Sequence, residues 1–247
     1  MKQTLIVLMV ITVMLSTSVA AKDIVVDRTN FGLLSQDDFT NFITEFGSAI
    51  YFHPLSPAET LGITGFDVAG EVVFADISHK ENYWKFMTED NDTMSFLPVP
   101  RLHLQKGLPG RIDIGAVFSS VPDSNIKVWG AELKYGIIKG SVVMPAVSAR
   151  ASYSQLEDVD DFDLRTYGLD LLISKGFLML TPYGGVSALR IEGSDESGLA
   201  TGWKDVEENV IQGVVGLQFC PFPFFVINAE ASFGEIPQYG FKAAIRF

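Results

Sequence analysis

The last ten residues of the chain decide the fold: Gln238-Tyr239-Gly240-Phe241-Lys242-Ala243-Ala244-Ile245-Arg246-Phe247. Counting back by twos from the end gives only apolar or aromatic side chains, from Phe247 and Ile245 to Phe241 and Tyr239. The positions between them are mostly polar or small. A strict period of two, with one apolar and one polar face, predicts a half-buried β-strand.

The same alternation recurs upstream and predicts ten strands in all. They cover residues 62–77, 97–106, 111–120, 126–138, 145–155, 163–174, 179–191, 209–219, 224–233 and 238–247. The chain is 47% hydrophobic and contains 19 Phe, yet after residue 21 it lacks the roughly 18 consecutive apolar residues of a spanning helix. Alternating strands explain that combination. We therefore predict an all-β fold, a transmembrane antiparallel β-barrel of about ten strands, with eight to twelve as the range.

The connections between these strands alternate in length. Short turns with Gly or Pro lie at 106–110, 139–141, 174–176 and 220–223, whereas longer or more acidic connections lie at 78–95, 156–162 and 192–207. Short turns on one side and long loops on the other are typical of barrels in the outer membrane. An even number of strands then predicts both termini on the side of the short turns.

The beginning of the chain predicts export. Lys2 precedes an almost wholly apolar stretch, Leu5 to Leu15, and small residues follow at 16–21. This pattern is typical of a secretory signal peptide that is cleaved after Ala20 or Ala21. The predicted organisation is a signal peptide over 1–21, an amino-terminal helical segment over 22–60 and a barrel over 61–247.

With this signal peptide, strand pattern and terminal Phe, the chain resembles Gram-negative outer-membrane β-barrel proteins. The resemblance implies location in the outer membrane, contact with its lipid and recognition by the barrel assembly machinery. It assigns the assembly signal to Tyr239, Phe241, Ile245 and Phe247. We expect a monomer. The net charge of −12 excludes nucleic acid as a partner, because phosphate binding needs clustered Lys and Arg.

The segment before the barrel contains a helix pattern. Ser35 is suited to cap a helix, and apolar side chains recur at helical spacing from Phe39 to Ile50, which predicts an amphipathic helix over about 36–48. We favour docking of this helix against the periplasmic mouth over entry into the lumen as a plug. Ser56-Pro57-Ala58 bears a loose resemblance to the hatch of the fatty-acid transporter family, although the usual Asn-Pro-Ala of that hatch is absent.

The polar faces of the predicted strands carry isolated charges, which we expect to line the lumen. The predicted lumen residues are Arg101, His103, Arg111, Asp113, Glu132, Lys134, Arg150, Asp170, Glu230, Lys242 and Arg246. A barrel of about ten strands is narrow, since eight strands leave room only for side chains and open channels need about sixteen. These charges should therefore pair across the lumen.

The residues needed for catalysis or metal binding form no recognisable pattern. Three His are present, and none combines with Ser and an acid in a hydrolase motif. Acidic residues 157–163 could chelate Ca²⁺, but they lack the Gly and terminal Glu of an EF-hand loop, and we favour a solvated acidic loop. We predict no catalytic residue, no cofactor and no metal site.

The leading hypothesis is a non-enzymatic outer-membrane protein that gives narrow passive permeability or envelope structure. A second hypothesis is a transporter of hydrophobic compounds, with Phe39, Phe42 and Phe46 in an amino-terminal hatch. A lipid-modifying barrel enzyme ranks third.

Overall fold

A computed structural model describes residue 24 and residues 33–88, 94–121, 124–199 and 203–247. Ten antiparallel strands dominate these ranges. They are β1 (Phe66–Asp76), β2 (Phe96–Leu108), β3 (Ile112–Ser120), β4 (Lys127–Ile138), β5 (Ala146–Glu157), β6 (Phe162–Ser174), β7 (Leu180–Asp195), β8 (Val206–Phe222), β9 (Phe225–Phe233) and β10 (Gln238–Arg246). Two helices, α1 (Gln36–Ile50) and α2 (Asn82–Phe86), complete the set.

The strands form one closed barrel in which each strand pairs with its neighbours in sequence and β1 pairs with β10. The closing register runs from Asp67 opposite Arg246 to Ala75 opposite Gln238. β1 begins and β10 finishes at the end of the barrel where the connections are short, which we call the turn end. The opposite end carries the longer connections, and we call it the loop end.

The closed ten-stranded antiparallel barrel predicted from the sequence is confirmed, and each predicted strand corresponds to one observed strand. The eighth strand differs most, because it covers Val206–Phe222 rather than 209–219, and the first strand begins at Phe66 rather than near residue 62. Gly62 has a positive φ of 79°, and the Gly65 N–H donates to the Gly62 carbonyl. That turn delays the start of the strand.

The outer surface of the barrel is apolar around its middle. Every strand alternates between buried positions, which face inward, and more exposed positions, which face outward. Outward-facing charges on the strands, such as Lys106, Arg165 and Arg190, lie near the two ends. Among the described strand residues, the outward positions between these margins carry no Asp, Glu, Lys or Arg. Trp129, Tyr153 and Tyr167 stack beside the loop end, with ring centroids 5.3 and 5.2 Å apart.

The strand prolines lie where pairing with one neighbour stops. Pro98 and Pro100 pair with β1, whereas pairing of β2 with β3 begins only at Leu102. Both prolines lie toward the loop end, opposite Phe74 and Val72 of β1. Pro145 precedes β5, and Pro182 lies beyond the last residue of β7 that pairs with β6. A missing N–H is tolerated at such positions.

Helix α1 begins at a capping box. The Asp38 N–H donates to Ser35 Oγ, and the Ser35 N–H donates back to the Asp38 carboxylate. The side chains of Phe42 and Ile50 are fully buried. The strand side chains that contact α1 and the segment after it face inward, so this part of the chain lies in the lumen. The favoured expectation of docking beneath the barrel is corrected, because the interior offers this apolar helix its partners.

The loop end is covered by the connections around α1. Gln36 exchanges two hydrogen bonds with the backbone of Lys204, between β7 and β8. Ile24 exchanges two hydrogen bonds with the Asn125 side chain and pairs with Thr88. The chain therefore enters the barrel at the loop end, and the expectation that both termini lie at the turn end fails for this segment. Neither described helix is long and apolar enough to cross a membrane.

A charged side chain on the outward face should lower the free energy of unfolding by an amount that depends on how near it lies to the middle of the barrel. Leu133 lies near the middle of β4 and is 51% exposed, so Leu133→Arg would place a charge in the apolar belt and should cost about 2–4 kcal/mol. Ser120→Arg places the same charge on the outward face at the loop end and should cost about 0–1 kcal/mol. Urea unfolding in lipid vesicles measures both free energies. Equal costs would contradict the proposed depth of the belt.

Candidate functional site: the filled lumen

The loop half of the lumen is an apolar core built around α1. Phe42 packs edge-on against Trp84 of α2 and Phe162 of β6, with ring centroids 4.9 and 5.4 Å apart. Phe46 lies against the same two rings, and Phe39 lies 5.0 Å from Trp203. Inward-facing aliphatic side chains of the strands complete this core, among them Val99, Val128, Leu156, Leu164, Leu189, Ile191 and Val210. The expectation of a polar lumen does not hold for this half.

Glu45 fastens the β1–β2 connection to α1. Its carboxylate accepts hydrogen bonds from Trp84 Nε1 at 2.6 Å, the Ser78 N–H at 2.9 Å and Tyr83 Oη at 3.0 Å. Burial, with a further contribution from Glu45, raises the pKa of Tyr83 to about 12. Tyr83 therefore remains a neutral donor over the physiological range, and one acidic side chain holds the connection over the loop end.

The carboxyl end of α1 lies near the middle of the barrel, where two wall side chains receive it. Arg101 donates to the Ala49 carbonyl at 3.0 Å, and Thr166 donates to the Gly47 carbonyl at 2.9 Å. The last turn of a helix leaves carbonyls without intrahelical partners and carries a partial negative charge. A buried cation and a hydroxyl are suited to that position.

After α1, residues 51–61 run through the turn half of the lumen as a segment without regular structure. Leu55 is held at both backbone groups, because its N–H donates to Glu230 at 3.0 Å and its carbonyl accepts from Asn228 at 2.9 Å. Further on, the Ala58 N–H donates to Ser174 and the Leu61 N–H donates to Asp113, both at 3.1 Å. The wall side chains supply the partners that a buried irregular segment needs.

Arg150 is the centre of the charges around this segment. Its guanidinium pairs with Glu132 and, at 2.6 Å, with Asp170, while another nitrogen donates to the Phe52 carbonyl at 2.7 Å. The Tyr51 hydroxyl donates to Asp170. All these side chains are buried. A buried charge is costly unless it is paired and hydrogen-bonded. This cluster therefore couples α1 and residues 51–61, which we call the plug, to three strands of the wall, β4, β5 and β6.

His103 lies between two carboxylates. Its Nδ1 is 2.6 Å from Glu71 and its Nε2 is 3.1 Å from Glu132. Lys242 Nζ, which can only donate, lies 3.3 Å from the same Nδ1, so the imidazole is held among two carboxylates and one ammonium. Lys242 Nζ lies 3.5 Å from Glu71. The imidazole is fully enclosed and supports neighbouring carboxylates.

Further ion pairs continue toward the turn end. Arg246 donates to Asp67 at 2.8 Å, and Lys134 lies 3.5 Å from Asp113. Lys134 also approaches the plug, 3.3 Å from the Pro57 carbonyl. Positive and negative side chains therefore alternate through the turn half of the lumen, and charges on neighbouring strands neutralise one another.

Most of the predicted lumen residues do face inward and meet in this network, but Arg111 does not. It follows Gly110 in the β2–β3 turn, has a φ of 64° and is exposed. Its guanidinium reaches the Ile137 carbonyl at 3.0 Å and lies 5.8 Å from the ring centroid of the outward-facing Tyr135. The period-two pattern was extended one residue too far, because the turn reverses the side chain before β3 begins.

Asp67, Glu71 and His53 are among the lumen residues that were not predicted from the sequence. Asp67 and Glu71 share the inward parity of β1, which could have revealed them. His53 was placed before the barrel, yet it is 2% exposed and its Nε2 lies 2.7 Å from Gln238. No period marks that position, because residues 51–61 are irregular.

Glycines on the inner wall leave room for the plug. A Cβ added at Gly168 would lie 2.4 Å from Tyr51 Cε2, and one added at Gly240 would lie 2.6 Å from Leu55 Cδ2. Both glycines belong to strands of ordinary alternation, where any residue could adopt the backbone. Close approach of the plug, rather than backbone freedom, requires Gly there.

Two recesses lie at the turn end. One recess of about 270 Å³ is bordered by residues 58–63, the β2–β3 turn and Gly136, and a second of about 140 Å³ is bordered by Ser56, Lys134 and Arg246. Several buried polar atoms of the lower wall have no protein partner, including Gln105 Oε1 and Gln218 Oε1 beside the smaller recess. A hydrated vestibule below the plug suits these atoms.

The acidic residues after β5 form exposed ion pairs. Lys127 pairs with Asp158, and Arg165 pairs with Asp163 at 2.5 Å. Within the ranges that the structure describes, no three His, Cys, Asp or Glu side chains gather closely enough to hold a metal ion. Lys127 and Arg165 neutralise part of the negative charge that a Ca²⁺ site would need.

The glycine contacts predict a specific loss of stability. Gly168→Ala should destabilise the barrel by about 1–3 kcal/mol, because the new Cβ overlaps the Tyr51 ring. Gly213→Ala is the matched control, since the added Cβ meets nothing within 4 Å and Ala is favoured over Gly in a strand by about 0.5–1 kcal/mol. The urea midpoint of refolded protein measures both. A Gly168→Ala variant as stable as the control would mean that Tyr51 does not occupy this place.

Comparison with known proteins gives a structural likeness only. No protein-family model matches the sequence, and no curated protein matches it. Among solved structures, Ail, the attachment invasion locus protein of Yersinia pestis, is 14% identical over 74% of this chain and 99% of that chain, with a TM-score of 0.35. KdgM porin is 11% identical over 73% of this chain and 99% of that chain, with a TM-score of 0.38.

The translocator domain of the autotransporter NalP from Neisseria meningitidis is 10% identical over 85% of this chain and 97% of that chain, with a TM-score of 0.45. Likeness at these identities and TM-scores carries no argument about function.

Proposed function

We propose that this protein is a non-enzymatic outer-membrane β-barrel that is closed at rest by its own amino-terminal segment. The observation that carries the proposal is the combination of an apolar outer surface with a filled lumen. Among the described strand residues, the outward positions between the charged margins carry no Asp, Glu, Lys or Arg. The lumen inside them is occupied by residues such as Phe42, Tyr51 and Leu55, all 0% exposed. Soluble monomers rarely expose apolar patches larger than a few hundred Å², so lipid is the solvent that suits this surface.

Of the two roles in the leading hypothesis, the filled lumen supports envelope structure over resting permeability. An ion would have to cross the apolar core around α1 and then the paired charges around Arg150. Both layers are tightly filled where the structure describes them, since Phe42 and Tyr51 are 0% exposed and Arg150 is 1% exposed. Narrow permeability then requires the plug to move.

The hydrophobic-transport hypothesis is favoured by one observation, the apolar lining of the loop half. In the resting state α1 occupies that lining. Below it lies the charged layer around Arg150 and Glu132, which an apolar solute would not enter. All ten strand pairings are continuous around the wall, so a lateral exit would require them to separate. For the enzyme hypothesis, His103 is the best candidate base, and its enclosure between Glu71 and Glu132 supports a structural role instead.

The proposal includes a topology and an assembly route. The chain is exported with residues 1–21 as a cleaved signal peptide, inserts as a monomer with its loop end outward, and presents Tyr239, Phe241, Ile245 and Phe247 to the assembly machinery. Tyr239, Phe241 and Phe247 are 42–57% exposed on the lipid side. Phe247 also exchanges two backbone hydrogen bonds with Phe66 across the closing seam, which supports a role in barrel closure.

Conductance in planar bilayers tests the closed state. The full mature chain should stay near the baseline, whereas deletion of residues 22–58 should raise conductance severalfold. Tyr51→Ala/Phe52→Ala is the second variant, because it removes two buried plug side chains and keeps the backbone. Leu133→Ala/Leu217→Ala, on the lipid face, is the control and should remain closed.

Resolved channel openings of the full chain, as large as those of the plug variants, would contradict a resting closed state. Acyl hydrolysis or transfer that is lost in His103→Ala would contradict the non-enzymatic assignment.

The assembly signal is tested by Phe247→Asp. We expect a severalfold lower level in the outer membrane, because the closing strand loses its terminal aromatic residue. Phe222→Asp is the matched control, since Phe222 is also an exposed outward Phe at the turn end, 69% exposed against 57% for Phe247. Heat-dependent mobility on gels separates assembled from unassembled protein. Equal losses in both variants would show a general cost of charge in lipid rather than a terminal signal.

A further inference from the structure

The chain passes through its own barrel from one end to the other before it enters β1. At the loop end, the Ile24 N–H donates to Asn125 Oδ1 at 2.9 Å and Asn125 Nδ2 donates to the Ile24 carbonyl at 2.8 Å. Both Asn125 and Thr88, the backbone partner of Ile24, belong to connections at that end. The start of α1 lies there too, because Gln36 contacts Lys204.

The direction of the passage is defined by successive wall contacts. Fifteen residues of α1 rise about 22 Å, and its carboxyl end meets Arg101 on β2 and Thr166 on β6. Leu61, ten residues farther on than Tyr51, meets Asp113 at the start of β3, at the turn end. The helix and the irregular segment together therefore span the lumen.

We infer that Ile24 and residues 33–35, on the amino-terminal side of α1, are displayed on the outer surface of the membrane, the chain having crossed it through the lumen of its own barrel. The inference rests on the proposed function, which sets the loop end outward. It differs from an ordinary plug, since a plug that enters from the turn end would leave its amino terminus in the periplasm.

Burial of the apolar side chains of α1 stabilises the amino-terminal segment in the lumen. Phe39, Phe42 and Phe46 become almost wholly enclosed, and removal of such side chains from water is the dominant favourable term in folding. The inference requires the crossing to precede this packing, because α1 occupies the lumen once it has packed against the wall. The barrel thus acts as a conduit once, for its own amino-terminal residues, and then closes on them.

Single cysteines in intact cells test the inference. In a Cys220→Ser background, Leu33→Cys reports on the segment before α1, Leu199→Cys on the loop end and Val142→Cys on the turn end; these three side chains are 74%, 37% and 97% exposed. A membrane-impermeant maleimide is applied before and after permeabilisation of the outer membrane. Leu33→Cys and Leu199→Cys should label equally in both conditions, and labelling of Val142→Cys should rise severalfold on permeabilisation.

The possible failures are distinguishable. If Leu199→Cys labels on intact cells and Leu33→Cys labels only after permeabilisation, the inference is wrong while the proposed outer-membrane barrel stands. If Val142→Cys labels on intact cells and Leu199→Cys does not, the proposed orientation is wrong and the inference falls with it. Should Leu33→Cys assemble poorly, an epitope inserted between Lys22 and Asp23 and detected by antibody on intact cells gives the same two outcomes.

Discussion

Pairing of β1 with β10 is the constraint on which the rest of the molecule depends. In lipid no water is available to hydrogen-bond a free N–H or C=O, so a sheet survives there only if it has no edge. The register from Asp67 and Arg246 to Ala75 and Gln238 removes both edges at once. Closure also divides every strand into a face for lipid and a face for the lumen, and it fixes how much space the second face encloses.

That enclosed space is too wide to be filled by the wall side chains alone, and the amino-terminal segment fills it. The two halves do so by different physics. Around Phe42, burial of apolar surface holds α1. Around Arg150, ion pairs and hydrogen bonds to backbone carbonyls hold an irregular segment, since buried charges are tolerated only when fully partnered. Gly168 and Gly240 lack a Cβ and so leave room on the wall for Tyr51 and Leu55 of this irregular segment.

A route from loop end to turn end makes the plug part of the protein's topology. A segment that enters and leaves at one end could withdraw without disturbing the wall. Here the chain is anchored above by Ile24 and Asn125 and continues below directly into β1. Any opening therefore has to rearrange the segment within the lumen, which breaks the contacts of Arg150 and Glu230 with its backbone.

The sequence by itself determined the barrel, because the alternation of apolar and polar residues along a strand depends only on neighbours in the chain. It does not depend on what each face of the strand later contacts. Leu133 and Lys134 could be assigned to opposite faces in this way. It also determined that α1 is an amphipathic helix. The apolar face of a helix does not, however, predict which surface of the protein will cover it. Only the tertiary structure decided that the lumen does so, and that Gly168 makes room for Tyr51. The places of Arg111 and His53 were likewise set by a turn and by an irregular segment, whose side-chain directions follow from contacts distant in sequence rather than from any local period.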